Sequence, residues 1–197
     1  MEYVVSKSPS LEDFKILGAQ LAALHQCTSV YFGLDHDNFI GKLPQSNTQH
    51  NTWVNFYTHE RLLPQLHLAI SNGLLNPKEI PTTSEIKSFL DGLFKNVKPV
   101  LLHGDLWSGN YLISTDGTPY IIDPAVYFGH HEVDIAMSQL FGGFHDAFYE
   151  SYFLHMPEEE NTSTRIDMYQ LYYLLVHLNM FGRSYYGSVS SILKTYF

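Results

Sequence analysis

The first strong pattern along the chain is a helical repeat of apolar residues. Apolar side chains recur at intervals of three or four from Phe14 to Leu24, which places them on one face of an α-helix. Ser10 precedes the repeat, and Asp13 lies three residues after Ser10. This pairing is typical of a helix N-terminus. We predict a helix that begins after Ser10 and ends near Cys27.

The next stretch, residues 28–47, has no regular alternation of apolar and polar positions. Gly33, Gly41 and Pro44 interrupt it. Several aromatic residues within it argue against disorder. We predict a long, ordered loop, a feature that is usually functional inside a domain.

Two further helices are predicted before the middle of the chain. Residues 52–73 have apolar side chains at helical spacing, with Pro64 as the point where the helix kinks or divides and Gly73 as its end. Residues 81–97 form the second helix, since Thr82 and Glu85 match a capping box.

The middle of the chain then changes to short apolar runs typical of β-strands. Residues 99–104 form one strand, and residues 111–114 and 119–123 flank Asp116-Gly117, a hairpin signal. Helices follow at 132–144, 146–156 and 164–182, the last of them apolar enough to be buried. We therefore predict an α+β fold that is mainly helical and carries a small β-hairpin in its middle.

Composition restricts the partners that such a body can have. The formal net charge of −9 disfavours a nucleic acid. Cys27 is the only cysteine, so no intrachain disulfide forms, as is usual in a reducing compartment. The sequence has neither a signal-peptide pattern nor the apolar run of about 20 residues that spans a membrane. We expect a cytoplasmic protein without a membrane partner, and the sequence does not predict its oligomeric state.

The residues with the clearest chemical signature flank the predicted hairpin. Asp105 and Asn110 precede it in the segment HGDLWSGN, and Asp123 follows it in IIDPA. Because the two ends of a hairpin meet, we expect these three side chains to lie close together. One carboxylate that accepts a hydroxyl proton, beside an amide and a carboxylate that offer oxygens to Mg²⁺, suits phosphoryl transfer.

Two segments resemble the catalytic loop and the metal-binding aspartate of the protein-kinase-like superfamily: HGDLWSGN and IIDPA. Aminoglycoside phosphotransferases and choline kinases share that pattern. Longer segments resemble the fructosamine kinase (ketosamine-3-kinase) family: LAALHQCTSVYFGLDHDNFIGKLPQSN, LLHGDLWSGN, IIDPAVYFGHHEVDIAMSQLFGGF and LYYLLVHLNMFG. The resemblance covers nearly all of the chain.

The resemblance implies a role for each residue around the hairpin. Asp105 would be the catalytic base that accepts a proton from a sugar hydroxyl. Asn110 and Asp123 would hold Mg²⁺ against the phosphates of ATP, the co-substrate. His103 would brace the catalytic loop, and Asp134 would anchor that loop through hydrogen bonds to its backbone.

The same resemblance implies positions for the two substrates. Leu112 and Ile122 would lie under the adenine ring. Backbone groups near the start of the chain would bond the adenine edge: Glu2, Tyr3 and Val4. Trp107 would form a wall of the ketosamine site, with further contacts from Asp35, Asn38 and His130.

The resemblance also implies a division of the chain. Residues 1–9 would be the hinge and linker between two kinase lobes, and residues 10–197 would be the C-terminal lobe. The family's N-terminal β lobe, with its phosphate-covering loop and lysine, has no counterpart in the sequence. We therefore expect that lobe to be absent and the chain to be truncated.

Several functions are compatible with these residues. The leading one is an ATP-dependent kinase that phosphorylates a sugar hydroxyl of a ketosamine, either a small molecule or an adduct on a glycated protein lysine, and so promotes deglycation. A second is an inactive fragment or pseudokinase that binds without turnover. Aminoglycoside- or choline-type substrates fit the shared chemistry, and a metallohydrolase would use His103, Asp105, Asp123 and His130.

Overall fold

The fold is described for residues 3–197 by a computed structural model. These residues form eight α-helices: Leu11–Leu24 (α1), Trp53–Phe56 (α2), Leu63–Ser71 (α3), Thr83–Leu93 (α4), Glu132–Leu140 (α5), Asp146–Phe153 (α6), Thr162–Phe181 (α7) and Tyr186–Tyr196 (α8). A π-helical segment, Tyr57–Leu62, joins α2 to α3, and short 3-10 turns lie at Pro77–Glu79 and Arg183–Tyr185. The mainly helical α+β class predicted from the sequence is confirmed.

The β-structure of the described residues consists of three small antiparallel sheets. The strands are Ser6–Lys7 (β1), Asn38–Ile40 (β2), Leu43–Gln45 (β3), Val100–Leu102 (β4), Tyr111–Ser114 (β5), Pro119–Ile121 (β6) and Tyr127–Gly129 (β7). The sheets have the orders β1-β5-β6, β2-β3 and β4-β7. The predicted hairpin around Asp116-Gly117 is therefore β5–β6, and β1 adds an edge strand from the segment expected to be a linker.

Helix α1 begins at the predicted capping box. The Ser10 amide donates to the Asp13 carboxylate at 2.8 Å, and the Asp13 amide donates to Ser10 Oγ at 3.3 Å. Together these bonds satisfy two of the amides that a helix N-terminus leaves free. The apolar face of α1 packs against α6.

Pro64 divides the predicted 52–73 helix, as expected. Proline has no N–H, and its ring crowds the carbonyl four residues earlier. The turn before it widens into the π-helical segment, where the Leu63 amide bonds to the carbonyl of Thr58, five residues back. Helix α2 packs against α4, and helix α3 packs against α7.

The 28–47 region differs from the predicted loop. It contains the β2–β3 hairpin, and Gly33 exchanges two backbone hydrogen bonds with Phe128 at 2.9 Å each. The sequence of this region does not alternate between apolar and polar residues as a strand usually does, because Phe39 is exposed while the polar Gln45 and Asn47 are buried. Helix α8 was also not predicted.

Helix α7 lies at the centre of the core, as its apolar sequence predicted. Its tyrosines Tyr169, Tyr172 and Tyr173 are buried, and each hydroxyl is hydrogen-bonded. Helix α5 packs along α7. None of the helices in the described part of the chain has the length and hydropathy to cross a bilayer.

A buried ion pair joins α5 to α7. Arg165 Nε and Nη2 donate to the two carboxylate oxygens of Glu132 at 2.6 and 2.7 Å. Both side chains are buried, with 6% and 2% of their surfaces exposed. Loss of one partner would leave the other charge buried without compensation, which is strongly destabilising.

We predict that Arg165→Met lowers the free energy of unfolding by about 3–5 kcal/mol. The double variant Glu132→Gln/Arg165→Met should recover most of this loss, because it removes the stranded carboxylate. Urea denaturation followed by circular dichroism measures both effects.

The matched control is Lys15→Met, which breaks the exposed Lys15–Glu12 pair of 3.4 Å. It should change stability by less than about 1 kcal/mol. Equal losses in Arg165→Met and Lys15→Met would contradict the assignment of stability to the buried pair.

Candidate active site

The loop after β4 places Asp105 beside Asn110. Asn110 Nδ2 donates to the Asp105 backbone carbonyl at 2.9 Å and to Asp105 Oδ2 at 3.3 Å. Asn110 is buried and Asp105 is half-buried. The amide side chain of Asn110 therefore fixes both the loop and the carboxylate of Asp105.

The β5–β6 hairpin returns Asp123 to the same place. Tyr111 pairs with Ile121, and the Ile122 amide donates to the Asn110 carbonyl at 2.9 Å. Asn110 Nδ2 also lies 3.4 Å from the Asp123 carbonyl oxygen. The structure thus brings Asp105, Asn110 and Asp123 together, as the hairpin argument predicted.

Asp134 anchors the start of the loop that carries Asp105. Its carboxylate accepts hydrogen bonds from the backbone amides of His103 and Gly104 at 2.8 Å each. His25, from the end of α1, contacts Asp134 Oδ2 through Nε2 at 3.1 Å and Tyr152 through Nδ1 at 2.8 Å. The predicted loop anchor is therefore itself held by a histidine.

The His103 ring joins the loop to the hairpin. Its Nδ1 accepts from the Asp105 amide at 3.3 Å, and its Nε2 lies 2.9 Å from the Ile122 carbonyl. Only the Nε2–H tautomer satisfies both contacts. His103 lies where a bracing residue should, between the segments that carry Asp105 and Asp123.

The carboxyl groups have contrasting electrostatics. Burial raises the pKa of Asp105 to about 6; the charge of Asp134 adds to the shift, the hydrogen bond from Asn110 opposes it, and Asp123 adds to it. Burial acts to raise the pKa of Asp134 as well. The hydrogen bond and charge of His25 oppose this effect, as do His103 and the hydrogen bond from the Gly104 amide. The pKa of Asp134 is therefore held below its usual value. Asp105 is the more basic carboxylate, and Asp134 stays ionised.

The donor set around Asn110 and Asp123 fits a hard divalent cation. All of the Asn110 side-chain hydrogen bonds use Nδ2. None of the described residues donates a hydrogen bond to Asn110 Oδ1 or to the Asp123 carboxylate, and Asp123 is exposed. Such oxygen ligands suit Mg²⁺, which keeps several waters and needs only a few protein oxygens.

One face of the β5–β6 hairpin presents apolar side chains next to Asn110. Because Leu112 pairs with Tyr120, and Ile122 follows at the position opposite Asn110, these side chains share a face. Tyr120 and Ile122 are exposed. The Val5 carbonyl accepts from the Thr115 amide at 3.1 Å, which places Tyr3 and Val4 just beyond the edge of this sheet. Glu2 lies outside the described residues.

A cavity of about 550 Å³ opens beside Asp105. Trp107, 40% exposed, lies in its wall. Other lining side chains come from distant parts of the chain: Ile40, Met137, Phe141, Tyr173, His177 and Phe181. A bound molecule in this cavity could present a hydroxyl group to the Asp105 carboxylate.

His130 does not line this cavity, and the ketosamine contact expected for it stays a prediction. Its side chain is buried, and Nδ1 contacts the Tyr169 hydroxyl at 2.7 Å. Burial holds its pKa well below the usual value, with the charges of His131 and Arg165 adding to the shift. The ring is a neutral part of the core.

Asp35 and Asn38 are also absent from the cavity wall. Asp35 is exposed, and its Oδ1 lies 2.5 Å from Nδ1 of the adjacent His36 ring. Asn38 Nδ2 donates to the Val126 carbonyl at 2.8 Å, and Asn38 Oδ1 accepts from Gln45 and Asn47. The side-chain hydrogen-bonding groups of Asn38 are thus used within the fold, and the ketosamine contacts of Asp35 and Asn38 stay predictions.

The geometry also disfavours a metallohydrolase. Both ring nitrogens of His103 already have backbone partners, and His130 lies in the core. Among residues 3–197, one group brings three metal-ligating atoms within 4.8 Å of one another: His130, His131 and Glu132. Arg165 occupies both oxygens of Glu132, so this group does not suit a cation.

The family model for fructosamine kinase matches residues 1–197. The chain belongs to the fructosamine kinase family. A probable ketoamine kinase from Lactiplantibacillus plantarum is 44% identical over 91% of this chain and 65% of its own length. A chloroplastic protein-ribulosamine 3-kinase from Arabidopsis thaliana is 41% identical over 91% of this chain and 56% of its own length. The chain thus spans less than two thirds of either relative.

Solved structures agree with this membership. A crystal structure of a candidate fructosamine-3-kinase from Thermobifida fusca YX-ER1 has a TM-score of 0.88 and 37% identity, and covers 98% of this chain and 68% of that chain. An aminoglycoside phosphotransferase, APH(4)-Ia, has a TM-score of 0.51 at 17% identity, with 99% and 70% covered. The second likeness shows the fold alone, which is kinase-like.

Sequence reasoning missed two residues that support the loop that carries Asp105. His25 follows Leu21 by one helical turn, so its place on the buried face of α1 was a usable signal for a polar contact. The Tyr173 hydroxyl donates to the Gly104 carbonyl at 2.8 Å. No local signal distinguished Tyr173 from the other aromatic residues of α7.

We predict that Gly104→Ala destabilises the protein by about 3 kcal/mol or more. Gly104 has φ +81°, and an added Cβ would lie 2.1 Å from the Ala125 carbonyl oxygen, so both backbone strain and overpacking contribute. The control is Gly73→Ala, with φ +67° and no atom within 4 Å of the added Cβ, which should cost only about 1–2 kcal/mol. Equal losses in urea denaturation would show that the contact with Ala125 is unimportant.

Proposed function

We propose that this protein is an ATP-dependent kinase that transfers a phosphoryl group to a sugar hydroxyl of a ketosamine. The observation that carries this proposal is the cluster of Asp105, Asn110 and Asp123 beside the 550 Å³ cavity, in a chain of the fructosamine kinase family. The names of its relatives, a ketoamine kinase and a protein-ribulosamine 3-kinase, support the substrate class.

Asp105 is the base in this proposal. Its carboxylate faces the cavity, and the hydrogen bond from Asn110 Nδ2 orients it. With a pKa of about 6 it is mostly ionised at neutral pH and more basic than an ordinary aspartate. It accepts the proton of the acceptor hydroxyl as that oxygen bonds to the γ-phosphorus of ATP, while the bond from this phosphorus to the departing ADP oxygen breaks.

Asn110 Oδ1 and the Asp123 carboxylate would hold Mg²⁺. Bound there, the ion would neutralise part of the negative charge on the transferred phosphoryl group. Loop anchoring by Asp134 and His103 keeps these oxygens beside Asp105, so that positioning contributes much of the catalysis. The adenine of ATP would lie on the apolar hairpin face of Leu112 and Ile122.

The open, aromatic wall of the cavity suits an acceptor with a long substituent. Trp107, Phe141 and Phe181 are 40%, 41% and 61% exposed around its opening. A sugar at Asp105 could therefore carry an amine whose aliphatic chain lies over these rings. The amine would be either a small molecule or the side chain of a protein lysine.

The predicted organisation of the chain enters the proposal as well. Residues 10–197 would act as the kinase-like C-terminal lobe that carries the catalytic loop, and residues 1–9 as the hinge and linker between two lobes. The cytoplasmic location expected from the sequence stays a prediction.

We predict that Asp105→Asn lowers kcat about 10³-fold, because the amide cannot accept the hydroxyl proton. The assay is ATP consumption with a fructosamine or ribulosamine as acceptor. Asp116→Asn, at the exposed tip of the same hairpin, is the control and should keep kcat within about twofold because it lies outside the catalytic cluster.

Near-normal turnover by Asp105→Asn would overturn the role of Asp105. An unmodified protein that binds a ketosamine but consumes no ATP would overturn the kinase proposal and support a binding module.

A further inference from the structure

The β2–β3 hairpin touches both halves of the proposed site. Ile40 and Gly41, near its turn, line the acceptor cavity. At its other end, Asn38 and Gln45 form a cross-strand pair. Their side chains contact the segment Asp123–Val126, which begins with the proposed metal ligand.

Three side chains form what we call the carbonyl clamp: Asn38, Gln45 and Tyr172. Asn38 Nδ2 donates to the Val126 carbonyl at 2.8 Å, and Gln45 Nε2 to the Ala125 carbonyl at 3.3 Å. Gln45 Nε2 also donates to Asn38 Oδ1 at 2.8 Å, while the Tyr172 hydroxyl donates to Gln45 Oε1 at 2.7 Å. The last bond fixes which way the Gln45 amide points.

The segment Asp123–Val126 has few hydrogen bonds of its own to fix its backbone. Asp123 has φ +50°, an uncommon conformation for a residue other than glycine. Pro124 has no N–H to contribute, and the Ala125 amide is bonded to the His103 carbonyl at 2.8 Å. The carbonyls of Ala125 and Val126 are the next groups that can be held, and the clamp binds both.

The hairpin is firmly attached to the rest of the fold. Arg61 is fully buried with its guanidinium 4.0 Å from the centre of the Tyr127 ring. It donates to the Ser46 carbonyl at 2.5 Å and to Asn47 Oδ1 at 2.7 Å. Asn47 Nδ2 in turn donates to Asn38 Oδ1 at 3.0 Å. Arg61 and Asn47 therefore hold the hairpin and the Asn38 side chain of the clamp in place.

We propose that Asn38, Gln45 and Tyr172 are positioning residues that fix Asp123 for metal binding, and that the β2–β3 hairpin links this loop to the acceptor cavity. The metal-binding part of this inference rests on the proposed kinase function. The mechanical part, that the clamp holds residues 123–126, does not.

The test compares Tyr172→Phe with Tyr169→Phe. Both tyrosines are buried on α7, and each substitution removes a hydrogen-bonded hydroxyl group. Of the two, only Tyr172 belongs to the carbonyl clamp. Two quantities are measured for each variant: hydrogen–deuterium exchange of residues 123–128, and the Mg²⁺ concentration for half-maximal phosphorylation. Asp123→Asn is the reference for a damaged metal site.

For Tyr172→Phe we expect about tenfold faster exchange in residues 123–128 and an about 3- to 10-fold higher Mg²⁺ requirement, with a smaller change in kcat. Tyr169→Phe should leave both quantities within about twofold even if it lowers thermal stability as much. Gln45→Glu, which places an oxygen against the Ala125 carbonyl, should give a larger effect in the same direction if it folds.

Unchanged exchange in Tyr172→Phe would overturn the clamp, whatever the activity. Faster exchange with an unchanged Mg²⁺ requirement in an active protein would overturn the positioning role. Equal effects from Tyr169→Phe would show that loss of any buried hydroxyl on α7 suffices, which also contradicts the proposal. If the unmodified protein has no kinase activity, the proposed function fails, and the exchange measurement still decides the mechanical part.

Discussion

The hydrogen bonds between Asp134 and the loop backbone are the constraint on which the candidate site depends. A fully buried carboxylate is strongly unfavourable unless its oxygens are bonded. Asp134 meets this requirement with the amides of His103 and Gly104 and the ring of His25. The need to satisfy one charge therefore fixes α1, α5 and the loop that carries Asp105 relative to one another. The position of Asp105 follows from the way Asp134 holds the preceding residues, His103 and Gly104.

The same rule applies to the other buried charges. Glu132 and Arg165 join α5 to α7, and Arg61 joins the π-helical segment to the end of the β2–β3 hairpin. Apolar packing fills the interior but tolerates small shifts, whereas a buried charge accepts few geometries. Polar contacts thus set the relative positions of elements that come from all parts of the chain.

The site was predictable from sequence where the geometry is local. Asp116-Gly117 marks a tight hairpin, so the approach of Asp123 to Asn110 followed from strand pairing alone. The β2–β3 hairpin was missed because its buried positions include the polar Gln45, which breaks the apolar alternation. The internal hydrogen bonds of His130 and Asn38 were not predicted, because no sequence pattern shows whether a polar side chain faces a cavity or is bonded within the fold. The cavity wall combines residues far apart in sequence, so its shape depends on tertiary packing.

The two tryptophans of the chain have opposite environments. Trp53 is 3% exposed and bonded to Tyr169, whereas Trp107 is 40% exposed in the cavity wall. Their fluorescence should therefore separate into a blue-shifted emission shielded from acrylamide and a red-shifted, quenchable one. The first reports the integrity of the core and the second the occupancy of the cavity. The protein thus carries its own optical probe for ligand entry, distinguishable from unfolding without any label.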